Sequence, residues 1–394
     1  MKVLFLMFAF PDMDKSYNMY TTLVEEFHAA GHEVVVLAPG AAGTRIRMEK
    51  NVPVLRVKTL PVKNVSNYLK GIANLLLPFQ FASALKRFYP DRSFDLIITP
   101  TPPITLVDLA SRLKRKYGSR LYLVLRDIFP QNAVDLGFMR KNGIVHRYFR
   151  AKEKKLYRIA DAIGCMSQGN IDYIRRHNPS VDAQRLHHLL NFQKPYPGSG
   201  TAPLALLGQY GLAGKFVVVF GGNMGKPQQL ENVLQLAASC AKYSDVVFLL
   251  LGEGVHMNRI AARISENGLR NIRIQQTIPK QEYQHLLSLC QIGLISLHAD
   301  FTIPNIPSKA LDYFNLGIPV LASLDRATDF GQMLDAEESG LWSFAGEHDR
   351  LFENFERLYN DPELRSRMGE NGRRYFWRCL TPEIALNTIL AHAR

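Results

Sequence analysis

The stretch Ile306-Pro-Ser-Lys-Ala-Leu-Asp-Tyr-Phe-Asn-Leu-Gly-Ile-Pro-Val-Leu-Ala-Ser323 decides how this chain is read. It passes from a short loop into a helix, stops at a glycine and re-enters as an apolar strand. Ser308 stands where an N-cap belongs, and helical patterning spans residues 309–316. Gly317 suits a left-handed C-cap, with Pro319 behind it as a stop signal. Residues 320–322 then read as a buried strand. A helix feeding straight into a short apolar strand is the unit of a parallel α/β sheet. The start of that helix carries Ser and Lys, and unpaired N–H groups with the helix dipole favour an anion there. Asp312, one turn deeper, offers a carboxylate to sugar hydroxyls. A diphosphate beside a polyol describes a nucleotide-sugar.

Outward from this stretch, strands and helices alternate along the whole chain. Residues 2–8, 33–38, 54–57, 96–99, 121–125, 162–166 and, more weakly, 186–190 read as strands. A second series covers 216–220, 246–251, 272–275, 292–295 and 320–322. Helical patterns at 19–30, 105–117, 229–242, 256–267 and 280–290 fall in the gaps. Short apolar strands separated by helices predict two Rossmann-like parallel-sheet domains built from right-handed βαβ units. The boundary is expected at residues 193–203, which gather three prolines and two glycines. That gives one domain over 1–195 and another over 204–375. Two such sheets facing one another would place a cleft at their C-terminal strand ends.

With 394 residues the chain can bury two cores. Cys165, Cys240, Cys290 and Cys379 show neither metal-ligand nor disulfide spacing, which fits reduced core thiols. The apolar start at residues 3–10 lacks a small-residue cleavage site and is closed by Pro11, so it reads as a first strand rather than a signal peptide. No run approaches the roughly 20 apolar residues of a spanning helix; the longest, 71–85, is interrupted by Pro78. The net charge of +13 is uneven: residues 1–200 carry +15 and residues 201–394 carry −2. Basic clusters at 112–116 and 147–158, and the mixed apolar and basic segment 68–89, suit an anionic membrane surface. A solvated face or a core helix would look the same. No nucleic-acid-binding module is recognisable.

The opening stretch resembles the donor-binding signature of the retaining family 4 glycosyltransferases, in which a Pro-Ser-Lys loop, an acid and a Gly-x-Pro-Val-Leu-Ala-Ser run recur. Phe220-Gly-Gly-Asn-Met-Gly-Lys-Pro-Gln228 is similar to that family's Gly-Asn-x-Gly-Lys donor loop, and Leu250-Leu-Gly-Glu-Gly254 to its second glycine turn. Ala29-Ala-Gly-His-Glu-Val-Val-Val-Leu37 matches the opening helix and second strand. Arg126-Asp-Ile-Phe-Pro-Gln131 resembles an element of the bacterial surface-polysaccharide branch, which includes amino-sugar transferases of O-antigen assembly. The order of these motifs covers nearly the whole chain.

The resemblance implies a GT-B fold whose C-terminal helix, within residues 376–394, crosses back to the first domain. It implies transfer of a sugar, a HexNAc or deoxy-amino sugar, from a UDP-linked donor to a polyprenyl-diphosphate-linked or oligosaccharide acceptor. The anomeric configuration would be retained, with no metal or other cofactor; Asp12-Met-Asp14 has the spacing of a metal motif by chance. Gly222, Asn223, Gly225, Gly252, Glu253 and Gly254 would bring backbone N–H groups to the diphosphate. Ile278 lies in the base-binding loop. Lys226 and Lys309 would offset the leaving-group charge. A typical member has Arg where Asn223 stands and a second Lys near Gln228, so these two lysines must do more here. Many relatives also carry an acid where this chain has Pro304. Its contacts are expected to pass to Asn305 or to the backbone of Ile306, Pro307 and Ser308.

In the first domain Asp127 is expected to receive the acceptor proton or orient its hydroxyl. Arg126 would bind a phosphate, the structural alternative for this pair of residues being a salt bridge between the two domains, and Asp12 and Asn18 would line the acceptor side. The implied location is cytoplasmic, at the inner face of the membrane. Two rivals stand: a sugar-nucleotide epimerase of the same architecture, and a catalytically inactive scaffold.

Overall fold

The structure, a computed structural model, describes residues 1–61, 67–196 and 205–393. The chain divides into two compact units, Met1–Lys194 with Pro382–Arg394, and Pro195–Thr381. Most of the boundary segment anticipated at 193–203, and residue 204, lie outside the described residues.

The first unit is built on an eight-stranded sheet. Its strands are β1 (Lys2–Leu6), β2 (Glu33–Gly40), β3 (Arg45–Glu49), β4 (Val52–Lys58), β5 (Leu96–Pro100), β6 (Arg120–Leu125), β7 (Ala162–Cys165) and β8 (Leu186–His188). Their spatial order is β3-β4-β2-β1-β5-β6-β7-β8, parallel throughout except where β3 pairs antiparallel with β4. Strand period 2 sorts the core into two layers. Val3, Phe5 and Met7 pack with Leu23, Val24 and Phe27 of the helix Met19–Ala29 and with Leu386 and Ile389 of the last helix, Pro382–His392. Leu4 and Leu6 face the other way, against Leu77, Phe81 and Leu85 of the helix Asn67–Phe88 and Leu109 and Leu113 of the helix Val107–Tyr117.

The chain returns to the first unit at Pro382, six residues later than the 376 expected. The helix Pro362–Cys379 stays in the second unit because it packs on the helix Ala310–Leu316 there: a Cβ on Gly369 would strike the Gly317 carbonyl, and Phe376 is fully buried.

The second unit holds β9 (Phe216–Gly221), β10 (Val246–Leu251), β11 (Ile272–Gln275), β12 (Ile292–Ser296), β13 (Val320–Leu324) and β14 (Gly340–Phe344), in the order β11-β10-β9-β12-β13-β14 and all parallel. Counted from β9 this is the 3-2-1-4-5-6 order of a dinucleotide-binding sheet, whose direction of winding reverses between β9 and β12. In the first unit the reversal falls between β1 and β5. Ligands of open α/β sheets bind beyond the C-terminal strand ends at such a reversal, so each unit has one place to look.

Candidate functional site

In the second unit the reversal point is occupied by two glycine loops that the sequence presents as separate motifs. They form one structure. Gly222 donates its N–H to the Leu251 carbonyl (2.9 Å), Met224 to Glu253 (2.8 Å) and His256 back to Met224 (3.0 Å), while Gly252 donates to Gln275 (2.9 Å). Gly222 and Gly252 adopt φ of +125° and +152°, and a Cβ on Gly252 would fall on the Gly222 carbonyl oxygen. Only glycine allows that approach. A Cβ on Gly254 would meet the Met224 carbonyl at 2.5 Å, and one on Gly225 the Asn223 Oδ1 at 3.1 Å. Gly222, Asn223 and Glu253 remain exposed at the rim.

Lys309 is drawn into this rim. Its Cε lies 3.7 Å from the position of a Gly222 Cβ, its ammonium sits 3.8 Å from the centre of the Phe220 ring, and it donates to the Gln228 side-chain oxygen. Among the described residues no carboxylate pairs with it. Burial alone pulls its pKa from 10.5 to about 7, because desolvation disfavours the charged form of an amine. The expected cap differs: Lys309 itself is the N-cap, no side chain caps the helix, and Ser308 contributes its carbonyl to the Leu311 N–H (3.2 Å). Gly317 does take the left-handed C-cap, at φ +70°.

Lys226 opens a short 3-10 turn, Lys226–Gln228, after Gly225. The turn is sewn across the reversal to the end of β12. Ser296 Oγ donates to the Gln229 carbonyl (3.1 Å), the Ala299 N–H to the Gln229 side chain (2.8 Å) and the His298 N–H to the Pro227 carbonyl (3.0 Å). Continuous helix from residue 229, as the sequence suggested, is ruled out by the left-handed φ of +37° at Gln229; the helix runs Glu231–Ser239.

Asp312 is nearly buried, 9% exposed, and accepts from the Lys280 ammonium at 3.3 Å. Its carboxylate is therefore part of an ion pair, which the sequence reading missed because Lys280 lies 32 residues away. Ile278 is half-buried in the loop before the helix Lys280–Leu287. Pro304 and Pro307 are buried, Ile306 is half-buried and Ser308 exposed. The Asn305 carbonyl accepts from Thr328 Oγ1 at 2.7 Å, and Asp325 fixes that turn by accepting the Ala327 and Thr328 N–H groups, both at 2.8 Å.

In the first unit the expected acceptor residues are largely spent on architecture. Asn18 caps the helix Met19–Ala29 in a capping box with Thr21: its oxygen accepts the Tyr20 and Thr21 N–H groups at 3.0 Å, and its amide donates to the Ala9 carbonyl at 2.9 Å. Asp12 pairs with Arg47 at 3.0 Å on β3. Against the desolvation that raises its pKa, the Asp14 N–H and the Arg47 guanidinium hold it below the usual value. Arg126 is buried, and among the described residues no acid pairs with it. It donates to the Leu189 (2.8 Å) and Leu190 (3.2 Å) carbonyls and lies over Phe192, all within the first unit. Asp127 has no bonded partner among the described residues, and burial raises its pKa.

A group that the sequence reading did not single out sets this loop. Arg56 makes a two-pronged pair with Glu49 (2.8 and 2.6 Å) and donates to the Phe10 and Pro11 carbonyls, both at 2.7 Å, while Glu49 also accepts the Met13 N–H at 3.0 Å.

Residues 19–191 match the model of the glycosyl transferase 4-like domain and residues 208–375 that of the glycosyl transferases group 1 domain. The chain belongs to the family 4-like GT-B glycosyltransferases. Among curated relatives, this glycosyltransferase is 25% identical over 279 residues to a Pseudomonas aeruginosa protein named as a glycosyltransferase, WbjE, covering 69% of this chain and 67% of that one. It is 24% identical over 337 residues to WcaI of Escherichia coli, named as a colanic acid biosynthesis glycosyl transferase, covering 79% and 80%. Its fold is that of sucrose-phosphate synthase from Thermosynechococcus elongatus (TM-score 0.76, 16% identity, 99% and 98% covered) and of Anabaena HepE solved with UDP-glucose (TM-score 0.72, 16% identity, 99% and 98% covered). It also matches WaaG, a glycosyltransferase involved in lipopolysaccharide biosynthesis (TM-score 0.70, 14% identity, 98% and 99% covered).

Proposed function

We propose that this glycosyltransferase moves a sugar, a HexNAc or deoxy-amino sugar, from a UDP-linked donor to a lipid-linked saccharide in the making of a bacterial surface polysaccharide such as O-antigen or capsule. The observation that carries the reading is Lys309, a half-buried lysine beside two interlocked glycine loops, with no carboxylate among the described residues to balance it. A site of that kind lacks an anion, and a nucleoside diphosphate supplies one. The relative named for colanic acid biosynthesis, WaaG named for lipopolysaccharide biosynthesis and the HepE complex with UDP-glucose support the substrate class.

In this reading the second unit holds the donor. The loop N–H groups outside the bonds that join the two loops, those of Asn223, Gly225, Glu253 and Gly254, act with Lys226 and Lys309 to take up the charge that grows on the diphosphate as the sugar C1–oxygen bond breaks. No metal is invoked. The acceptor hydroxyl attacks the same face of C1, so the anomeric configuration is retained, and its proton passes to Asp127. A carboxylate whose affinity for protons is raised by burial is a better base than an exposed one. In this reading Asp312, paired with Lys280, accepts hydrogen bonds from hydroxyls of the donor. The acceptor is held by the first unit at the cytoplasmic membrane surface.

Thermal stabilisation against UDP, GDP, ADP, UDP-GlcNAc, UDP-GalNAc and UDP-glucose tests the reading in wild type and Lys309→Ala, since a ligand of the native state stabilises it by mass action. A shift for uridine nucleotides that the variant abolishes is expected. No shift with any nucleotide would favour the inactive-scaffold alternative.

A further inference from the structure

The first unit carries a group of exposed apolar side chains that its own packing does not use. Ile144 is 88% exposed, Phe138 70% and Val145 57%. Single exposed aliphatic residues are ordinary; three large ones within eight residues on a fixed turn are not. The turn is fixed by its own backbone. Phe138 and Met139 donate to the Ala133 carbonyl at 2.8 and 3.1 Å, Gly143 donates to Arg140 at 3.2 Å, and the Asn142 N–H meets His146 Nδ1 at 3.3 Å. Behind it the helix Ile144–Ile159 is rooted by the edge-on contact of Phe149 with Phe129, centroids 4.9 Å apart.

The surroundings of this apolar tip are strongly cationic. Residues 136–159 contain eight Lys or Arg and one acid, Glu153. Glu153 is buried, paired with Arg150 and bonded to the Tyr157 hydroxyl. Arg140, Lys141 and Arg147 are exposed beside the tip. A polynucleotide would satisfy the cations and leave the apolar groups in water. An apolar protein groove would satisfy the tip and leave the cations uncompensated. An anionic bilayer meets both demands in one surface, with acyl chains below and phosphates above.

We propose that this turn and the first helical turn after it form the membrane-docking element of the protein. Phe138, Ile144 and Val145 enter the boundary between headgroups and acyl chains, while Arg140, Lys141 and Arg147 rest on lipid phosphates. The proposal deepens the reading of a lipid-linked acceptor and rests on it for its purpose.

Co-sedimentation with vesicles of phosphatidylcholine, with and without phosphatidylglycerol, tests it on the full chain. Wild type is expected to bind the anionic vesicles and to be released as salt screens the cations. The triple variant Phe138→Ser/Ile144→Ser/Val145→Ser should bind about tenfold or more weakly. Because the three side chains are exposed, it should keep its melting temperature and its stabilisation by UDP. Arg140→Gln/Lys141→Gln/Arg147→Gln should lose the preference for anionic vesicles. Undiminished binding by the apolar triple variant, with loss instead in Leu75→Ser/Leu76→Ser/Phe79→Ser on the helix Asn67–Phe88, would overturn the assignment. So would a wild type that ignores vesicles and forms a dimer which the triple variant abolishes. Vesicle binding without any nucleotide shift would count against the transferase reading alone; a nucleotide shift without vesicle binding would count against the docking element alone.

Discussion

Arg56 and Lys309 are basic side chains drawn in from the surface, the first buried and the second half-buried, one in each unit, and their surroundings treat them in opposite ways. Arg56 has its anion: Glu49 takes two of its N–H groups, and main-chain carbonyls of residues 10 and 11 take others. Lys309 has an aromatic face and a neutral amide oxygen. A buried charge with its partner is architecture, because breaking such a pair strands the remaining ion. A buried amine without one loses its proton more readily and waits for an anion from outside. Arg126 lies between the two cases, with carbonyl dipoles in place of an acid. Burial of a cation is therefore a poor guide to function, and the identity of its partner is a good one.

Substitutions can break this contrast, and the largest effect is expected at Arg56. Arg56→Ala leaves Glu49 buried and unpaired and should cost about 3–5 kcal/mol of stability by denaturant unfolding. Lys309→Met should lower kcat by about 10²–10³-fold, the size of losing one preorganised charge-stabilising group, while the melting temperature holds or rises. If the stability losses come out reversed, the assignment of the two cations fails.

Gly252→Ala tests the platform on which Lys309 rests. A methyl at that position must push the Gly222 carbonyl aside, so a loss of about 1–3 kcal/mol of stability is expected, together with loss of stabilisation by UDP. Asn18→Ala should cost only about 1 kcal/mol, as a lost helix cap. Its KM for the acceptor should stay unchanged, because the side chain is spent on Tyr20, Thr21 and Ala9. A raised KM with unchanged stability would return Asn18 to the acceptor site.

The parts legible in the sequence are those that local rules determine. Apolar runs such as Val3–Leu6 of β1 and Val246–Leu251 of β10 announce buried parallel strands, and the glycines at 222, 252 and 254 mark backbone where a side chain would be strained or would clash. Two strands were not legible. β3 alternates charge with apolar residues, and its hairpin turns at Lys50 and Asn51, both at positive φ (45° and 63°), without the usual glycine. β14 is a half-exposed edge whose Gly340 is required by the Val320 carbonyl behind it.

The polar site was less legible than the fold, for a plain reason. Whether Asp12, Asp312 or Lys309 is available to a ligand depends on partners 35, 32 and 81 residues away. Residue type and spacing select the candidates, but only the packed structure says which are already taken.

The central claim is that burial pulls the Lys309 pKa down to about 7, so that above this pH the amine is neutral in the empty site and takes up a proton when a diphosphate arrives. With its pKa lowered to about 7, the folded protein binds fewer protons than the unfolded chain from about pH 7 up to the ordinary lysine range. Stability from this group is thus fully present above that range and is lost as pH falls toward 7. Binding of UDP should reverse the shift. Calorimetric titration of UDP at pH 8.5, where the diphosphate is already fully ionised, in two buffers of different ionisation enthalpy reads the proton directly. The account predicts uptake of about one proton, vanishing in Lys309→Met. Equal enthalpies in the two buffers, or uptake that survives in Lys309→Met, would contradict it.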